Sequence, residues 1–251
     1  MNEINGLHEA DRDNIGGKEL LRLTNDYVFK RTFAEENLGA LAEFIASVTG
    51  IDVEELEGIV IDDPNLYPES EGLKHGELDV RVHMKGGEIV NIEIQLRSEK
   101  AFRERIIYYN DRLFTSQLKK GKEYALLNKT ASIIITDFIL LKENNDHFNT
   151  FKWYNENNRT LLSDIQMIHT LELPKLPDAD DGTRLWRWLK LMKARKENEM
   201  EALAKGIPEM GRVVATVRRM SADERERRLA EEAEKRWRDA RGAIAYAWDE
   251  G

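Results

Sequence analysis

The residues best placed to do chemistry are two acids, Asp79 and Glu93, in consecutive alternating runs. In His75-Gly76-Glu77-Leu78-Asp79-Val80-Arg81-Val82-His83-Met84, apolar Leu78, Val80, Val82 and Met84 alternate with polar Asp79, Arg81 and His83. The next run repeats the pattern, with Val90, Ile92, Ile94 and Leu96 on one side and Asn91, Glu93, Gln95 and Arg97 on the other. A period of two marks a half-buried strand. Lys85-Gly86-Gly87 between the runs reads as a turn whose glycines can take positive φ. A three-residue loop pairs Met84 with Glu88 and sets Asp79 directly opposite Glu93 on one face. An even-length loop would set Asp79 against Ile94 and break the polar match. Facing carboxylates repel, and a divalent cation turns that repulsion into coordination, because hard ions such as Mg²⁺ take carboxylate, phosphate and water oxygens. The chemistry so implied is the holding of a hard divalent cation, which would carry substrate phosphate and water on its remaining positions. The alternative is a solvated sheet face that carries two acids and no ion.

The residues after Glu93 add to the first reading. Gln95 lies two positions on and shares its face, and a basic stretch comes next. Between Arg97 and Lys122 there are eight basic residues (Arg97, Lys100, Arg103, Arg105, Arg112, Lys119, Lys120, Lys122) against three acids (Glu99, Glu104, Asp111). A local basic excess beside a cation site suits a phosphate backbone. Arg105, Tyr108 and Arg112 fall on one helical face, and an arginine fork matches phosphate oxygens. A solvated helix face with structural salt bridges is the competing account.

The elements that must position these groups can be read along the chain. Residues 1–18 read as a flexible tail. A helix starts near Asn25 and carries Tyr27, Phe29 and Phe33, with Thr24 or Asn25 as N-cap. A second helix runs from Leu38 to Val48, closed by Gly50. Residues 58–61 form a short strand, and 62–74, with Pro64 and Pro68, a loop. After the hairpin, the clearest helix spans Glu99 to Lys120, with Phe102, Ile106, Tyr109 and Leu113 as its apolar stripe and Gly121 as its end. Strands are predicted at Ala131–Leu141, Thr150–Tyr154 and Asp164–Leu173, with His169 on a strand surface. Charged helices continue to about Trp248, one starting at Ser221 with Glu224 three residues on. The fold class expected is α/β (α+β), a central mixed sheet flanked by helices. The domain division expected is 1–18, 19–178 and a helical extension, 179–251, used for self-association into a homo-oligomer.

Composition narrows the field. The 251 residues hold no cysteine, which excludes disulfides and cysteine zinc sites. The net charge of −9 argues against an overall basic nucleic-acid binder, so any such interface must be local. Met1 to Lys18 is polar and lacks the apolar core of a signal peptide, and no run is long enough to span a membrane. A cytoplasmic protein with no membrane partner is the expectation. No Ser-His-Asp spacing, phosphate-binding glycine loop or His-x-x-x-His motif is present.

Asp79, the hairpin and Glu93-x-Gln95 together resemble the metal-dependent PD-(D/E)XK nuclease core, with Gln in the place usually held by Lys. More specifically, the chain resembles the recombination-promoting nuclease and transposase branch of that superfamily. The matching stretches are Asn25-Asp26-Tyr27-Val28-Phe29-Lys30 with Phe33, Glu77-Leu78-Asp79-Val80 and Asn91-Ile92-Glu93-Ile94-Gln95. Further on come Arg105 with Tyr108-Tyr109, Gly121 with Tyr124, and Leu171-Glu172-Leu173-Pro174-Lys175. The resemblance runs from about Leu20 to Arg195. It implies a restriction-endonuclease-like core and a Mg²⁺-dependent DNA endonuclease, with Mn²⁺ as an alternative ion, linked to recombination, mobile elements or defence against foreign DNA. It adds the backbone carbonyl of Ile94 to Asp79 and Glu93 as a metal ligand. It gives Gln95 the task of orienting the attacking water or touching the scissile phosphate. Asp26 becomes an auxiliary acid, with Glu43 as competitor and a first-turn helix acid paired to Lys30 as the structural alternative. Arg97, Arg105, Tyr108 and Arg112 become DNA contacts. Because glutamine brings no charge to the phosphate, a catalytically inactive nuclease-like binding or assembly module is the rival function.

Overall fold

A strand covered on both faces of its sheet needs apolar residues on both. Ile89–Gln95 and Thr130–Thr136, rich in isoleucine and valine, supply the two innermost strands of the sheet. The computed structural model describes residues 17–56, 58–61, 80–96, 98, 100–119 and 121–235. Asp79, Arg97, most of the expected tail, the 62–74 loop and the chain from 236 onward lie outside the described residues.

Among the described residues the sheet has six strands: β1 Val60–Ile61, β2 Val80–His83, β3 Ile89–Gln95, β4 Thr130–Thr136, β5 Phe148–Tyr154 and β6 Leu161–Glu172. Their spatial order is β1-β2-β3-β4-β6-β5. β1, β2 and β3 form an antiparallel meander, β4 lies parallel to β3, β6 parallel to β4, and β5 closes the far edge antiparallel to β6. The sheet is therefore mixed, as expected. Helices α1 (Asp26–Thr32) and α2 (Leu38–Thr49) precede it, and α3 (Phe102–Thr115) forms the crossover between β3 and β4. After the sheet come α4 (Arg184–Lys193), α5 (Glu197–Ala204), α6 (Pro208–Ala222) and α7 (224–235).

The hairpin has the predicted register. Met84 N donates to Glu88 O and Gly87 N to Met84 O, both at 2.9 Å, which closes a three-residue loop. Val80 stands across from Ile92, Arg81 from Asn91 and Val82 from Val90. Gly87 has φ +91°.

Several boundaries differ from expectation, each for a local reason. The helix predicted over Glu99–Lys120 is α3, which ends at Thr115. There the Thr115 hydroxyl donates back to Asp111 O (2.8 Å) and the Ser116 hydroxyl to Leu113 O (2.7 Å), in competition with the helix ladder. Gly121 lies beyond that end in a left-handed turn and terminates no helix. Within α3 the buried stripe is Phe102, Ile106, Asn110 and Leu113, with polar Asn110 in the place predicted for Tyr109. Its amide donates to the Ser132 hydroxyl at 2.9 Å and to Met167 O at 3.2 Å, so the buried polar group is satisfied. β4 stops at Thr136 rather than Leu141, and side chains from beyond the strand hold the 137–144 segment. Ser221 is not an N-cap: its hydroxyl donates to Val217 O at 2.7 Å inside α6. Asp223 caps α7 instead, its carboxylate accepting from the backbone of Arg225 and Glu226.

The chain forms two compact units, residues 34–186 and residues 1–33 with 187–251. The first contains α2, the whole sheet and α3. Phe102 and Ile106 of α3 pack with Ile134 and Leu140, joined by Phe138, Leu141 and Ile168. Burying such side chains stabilises by roughly 2 kcal/mol each. In the second unit residues 19–27 meet residues 195–230. Glu19 bridges Lys196, Leu20 N donates to Arg195 O at 2.8 Å, and Leu21 N donates to the Ser221 hydroxyl at 2.8 Å. Asn25 caps α1 and also donates to Ala230 O at 3.1 Å. The Tyr27 hydroxyl donates to Glu226 at 2.7 Å; desolvation first, then this carboxylate, push the phenol pKa up to about 12. Phe29, Phe33 and Trp188 follow one another as tilted ring contacts, with centroids 4.7 and 6.0 Å apart, within the unit's buried set.

Candidate functional site

β3 positions the site. Its polar face carries Asn91, Glu93 and Gln95, which stand beside Ser132, Ile134 and Thr136 of β4. One strand further, the same rows reach Ile168, Thr170 and Glu172 of β6. Alternation predicted a half-buried β3, yet every residue of it is buried. β2 and β4 flank it on both sides, and α3 packs on the face shared by Ile134 and Ile168. Glu93 and Gln95 are each only 4% exposed. The solvated-face alternative therefore does not hold for this pair.

A buried carboxylate requires a cation or strong donors. Arg105 provides one: its Nη2 donates to Glu93 Oε1 at 2.9 Å from the second turn of α3. The Arg105 side chain stays 31% exposed while that of Glu93 is 5% exposed, so the pair reaches from the interior to the surface. The Arg105 guanidinium lies 5.7 Å from the Phe102 ring centre and 5.8 Å from that of Tyr109, its neighbours at i−3 and i+4. Burial raises the Tyr109 phenol pKa, against the opposing pull of Arg105 and Arg112.

The remaining predicted residues divide between this site and other parts of the fold. The Ile94 backbone lies beside Ile135 of β4. Gln95 O accepts from Asp137 N at 3.0 Å on the β4 side, so by strand alternation the Ile94 carbonyl faces the β2 side. Tyr108 and Arg112 are exposed on α3, with the Arg112 guanidinium 5.8 Å from the Tyr108 ring centre. Arg103, counted in the basic stretch, is bound to Glu143 through both guanidinium nitrogens at 2.9 Å and donates to Leu140 O at 2.7 Å. Glu143 is held down at a pKa of about 2, chiefly by that hydrogen bond from Arg103. The basic stretch is thus partly neutralised within the fold. Asp26 belongs to the other compact unit, where it ion-pairs with Lys30 at 2.9 Å as the first acid of α1. Glu43 of α2 pairs with Arg184 at 3.5 Å. His169 is not on a strand surface: it is buried, accepts or donates at Nδ1 with the Thr150 hydroxyl (3.0 Å), and stacks on Phe148. Burial holds its pKa down at about 4.

One group of residues has no role predictable from the sequence. Glu172, fully buried at the end of β6, accepts from Leu140 N at 2.7 Å and Leu141 N at 3.2 Å. Its other oxygen receives Lys175 Nζ at 3.0 Å, and that ammonium also donates to Leu141 O at 2.6 Å and to Asn144 at 3.3 Å. This latch fixes the 137–144 segment. The segment in turn presents Leu140 O and Glu143 to Arg103, and Phe138 to Phe102 at 5.7 Å. Phe102 and Arg103 belong to the first turn of α3, so the latched segment packs against the start of the helix that carries Arg105.

Oxygen donors dominate the site: the Glu93 carboxylate, the Gln95 amide and the Ile94 carbonyl. That donor chemistry fits a hard divalent cation such as Mg²⁺ or Mn²⁺. Among the described residues there is no group of three or more His, Asp or Glu placed to hold a metal ion. Among the described residues no helix is long and apolar enough to cross a membrane.

A family model described as PD-(D/E)XK nuclease family transposase matches residues 23–247, and the mixed sheet flanked by helices is consistent with that nuclease-like fold. No curated protein and no solved structure matches the chain.

Proposed function

The chain belongs to the PD-(D/E)XK nuclease family transposases, and from that membership we propose that it is a Mg²⁺-dependent DNA endonuclease. Mn²⁺ is the alternative ion, and the cleavage serves recombination, mobile elements or defence against foreign DNA in the cytoplasm. The observation that carries this reading is the burial of Glu93 and Gln95 side by side on β3, under a helix whose Arg105 reaches Glu93 at 2.9 Å. An acid and an amide on one strand face, with a basic fork on the acid, are groups that phosphate chemistry uses.

In this reading Glu93, the Ile94 carbonyl and Asp79 hold the cation. Asp79 directly precedes Val80, and one more step of the Val80–Ile92 register would put position 79 across from Glu93. The bound cation lowers the pKa of water and offsets charge on the phosphate. Gln95 donates its amide hydrogens to a phosphate oxygen or orients the attacking water, without adding charge. Arg97, Arg105, Tyr108 and Arg112 line the approach of the DNA backbone, where a local basic face counters the chain's net charge of −9. The C-terminal helices are the surface for self-association.

A second reading, an inactive nuclease-like module, draws support from the Arg105–Glu93 pair, in which the carboxylate already has a cationic partner. One experiment separates them. Supercoiled plasmid is incubated with the protein and Mg²⁺ or Mn²⁺, beside Asp79→Ala and Glu93→Ala. Cation-dependent nicking by the wild type alone supports the enzyme; equal nicking, or none, by all three proteins rules it out.

A further inference from the structure

A cation at Glu93 and the guanidinium of Arg105 compete for one carboxylate. Glu93 is buried, so its charged form is favoured by a positive partner, and in this structure Arg105 is one. A dication on the same carboxylate would lie within a few ångströms of the guanidinium, and the two like charges would repel in a poorly solvated place. Arg105 also has somewhere to go. Its side chain is 31% exposed, it sits on α3 above the same face as Glu93, and it is flanked by the rings of Phe102 and Tyr109.

We propose that Arg105 is an exchange residue. It neutralises Glu93 while no cation is bound and transfers its guanidinium to a DNA phosphate once a cation takes the carboxylate. This inference rests on the reading of Glu93 as a cation ligand and deepens it by coupling the two ligands of the site. Binding of a cation releases Arg105 for phosphate. Binding of phosphate releases Glu93 for the cation. By linkage each strengthens the other to the same degree. Arg105 is then a positioning residue for charge, and free protein is kept from holding cation tightly without DNA.

The coupling is read without turnover. Calorimetry measures Mn²⁺ binding to the full-length protein with no DNA, for wild type, Arg105→Met, Arg105→Lys and Glu93→Gln. Anisotropy then measures binding of a labelled phosphorothioate duplex with and without Mn²⁺. Arg105→Met should bind Mn²⁺ about tenfold more tightly than wild type, since the competitor is gone. Mn²⁺ should strengthen duplex binding by wild type clearly more than that by Arg105→Met, which keeps only the direct attraction of the cation for phosphate. Arg105→Lys, which keeps charge and loses the fork, should fall between them, and it carries the test if Arg105→Met does not fold. If wild type binds Mn²⁺, Glu93→Gln does not, and Arg105→Met binds it no more tightly than wild type, the exchange is wrong while the cation site stands. If wild type and Arg105→Met both fail to bind Mn²⁺, the cation reading falls and the exchange with it.

Discussion

Lys175 and Glu172 form an ion pair at 3.0 Å in which the lysine side chain is 7% exposed and the glutamate fully buried. Removing one member of such a pair leaves a buried charge, which costs about 3–5 kcal/mol. Glu172→Gln is therefore expected to lower unfolding free energy by about 3 kcal/mol in urea titrations. Glu172→Gln combined with Lys175→Met should recover part of that loss, because the stranded ammonium is removed as well. If single and double variants are equally stable, the pair contributes only packing.

His169 gives the stability a pH dependence of definite sign. Burial, with a smaller push from Lys152, lowers its folded pKa to about 4, below the ordinary histidine value. Between these pH values the unfolded chain takes up a proton that the folded chain refuses. Stability therefore falls as pH drops through 6.5 towards 4, by up to about 3 kcal/mol, and is unaffected by this group at higher pH. Chemical denaturation from pH 4 to 8 of wild type and His169→Gln should show that slope flattened in the variant.

The hairpin that fixes the register depends on Gly87 more than on Gly86. Gly87 sits at φ +91°, and a Cβ there would come within 2.6 Å of the Asn128 side chain; at Gly86 the nearest atom is a Glu88 oxygen at 3.3 Å. Gly87→Ala should cost about 1–2 kcal/mol and Gly86→Ala distinctly less, by thermal denaturation. Equal Tm shifts would mean that the turn tolerates either backbone.

Gln95 separates hydrogen bonding from charge. Gln95→Leu keeps the volume and deletes both amide functions. In the proposed mechanism it slows single-turnover plasmid cleavage by roughly 100-fold and leaves Mn²⁺ affinity within about twofold of wild type. A loss of Mn²⁺ binding as large as that of Glu93→Gln would instead make Gln95 a ligand.

The hairpin register could be read from the sequence because a period of two and a three-residue loop leave one pairing that matches polar with polar. Val80 across from Ile92 is that pairing. The burial of Glu93 and Gln95 could not be read there. It depends on a helix folding back over the strand, and the spacing from 93 to 105 says nothing about which face that helix covers. Arg105 was recognisable as a phosphate-seeking residue, but not as the partner of Glu93. Glu172 was harder still: its partners are the backbone amides of Leu140 and Leu141, which leave no side-chain signature. Likewise, the stretch beyond residue 178 reads as an appendage from composition alone. Its helices share a compact unit with α1 through the hydrogen bonds of Asn25 and Tyr27.

Those hydrogen bonds also bear on synthesis. Leu21 to Ser221, Asn25 to Ala230 and Tyr27 to Glu226 join residues 200, 205 and 199 positions apart. The sheet-bearing unit, by contrast, is a continuous stretch of chain. A ribosome adding about 5–20 residues per second therefore delivers every strand before α1 has met its partners, and α1 waits on the order of 10–40 s for them. Over that interval Phe29 and Phe33 have no finished core to enter, so the nascent amino-terminal segment is the part of this protein with most to gain from a chaperone.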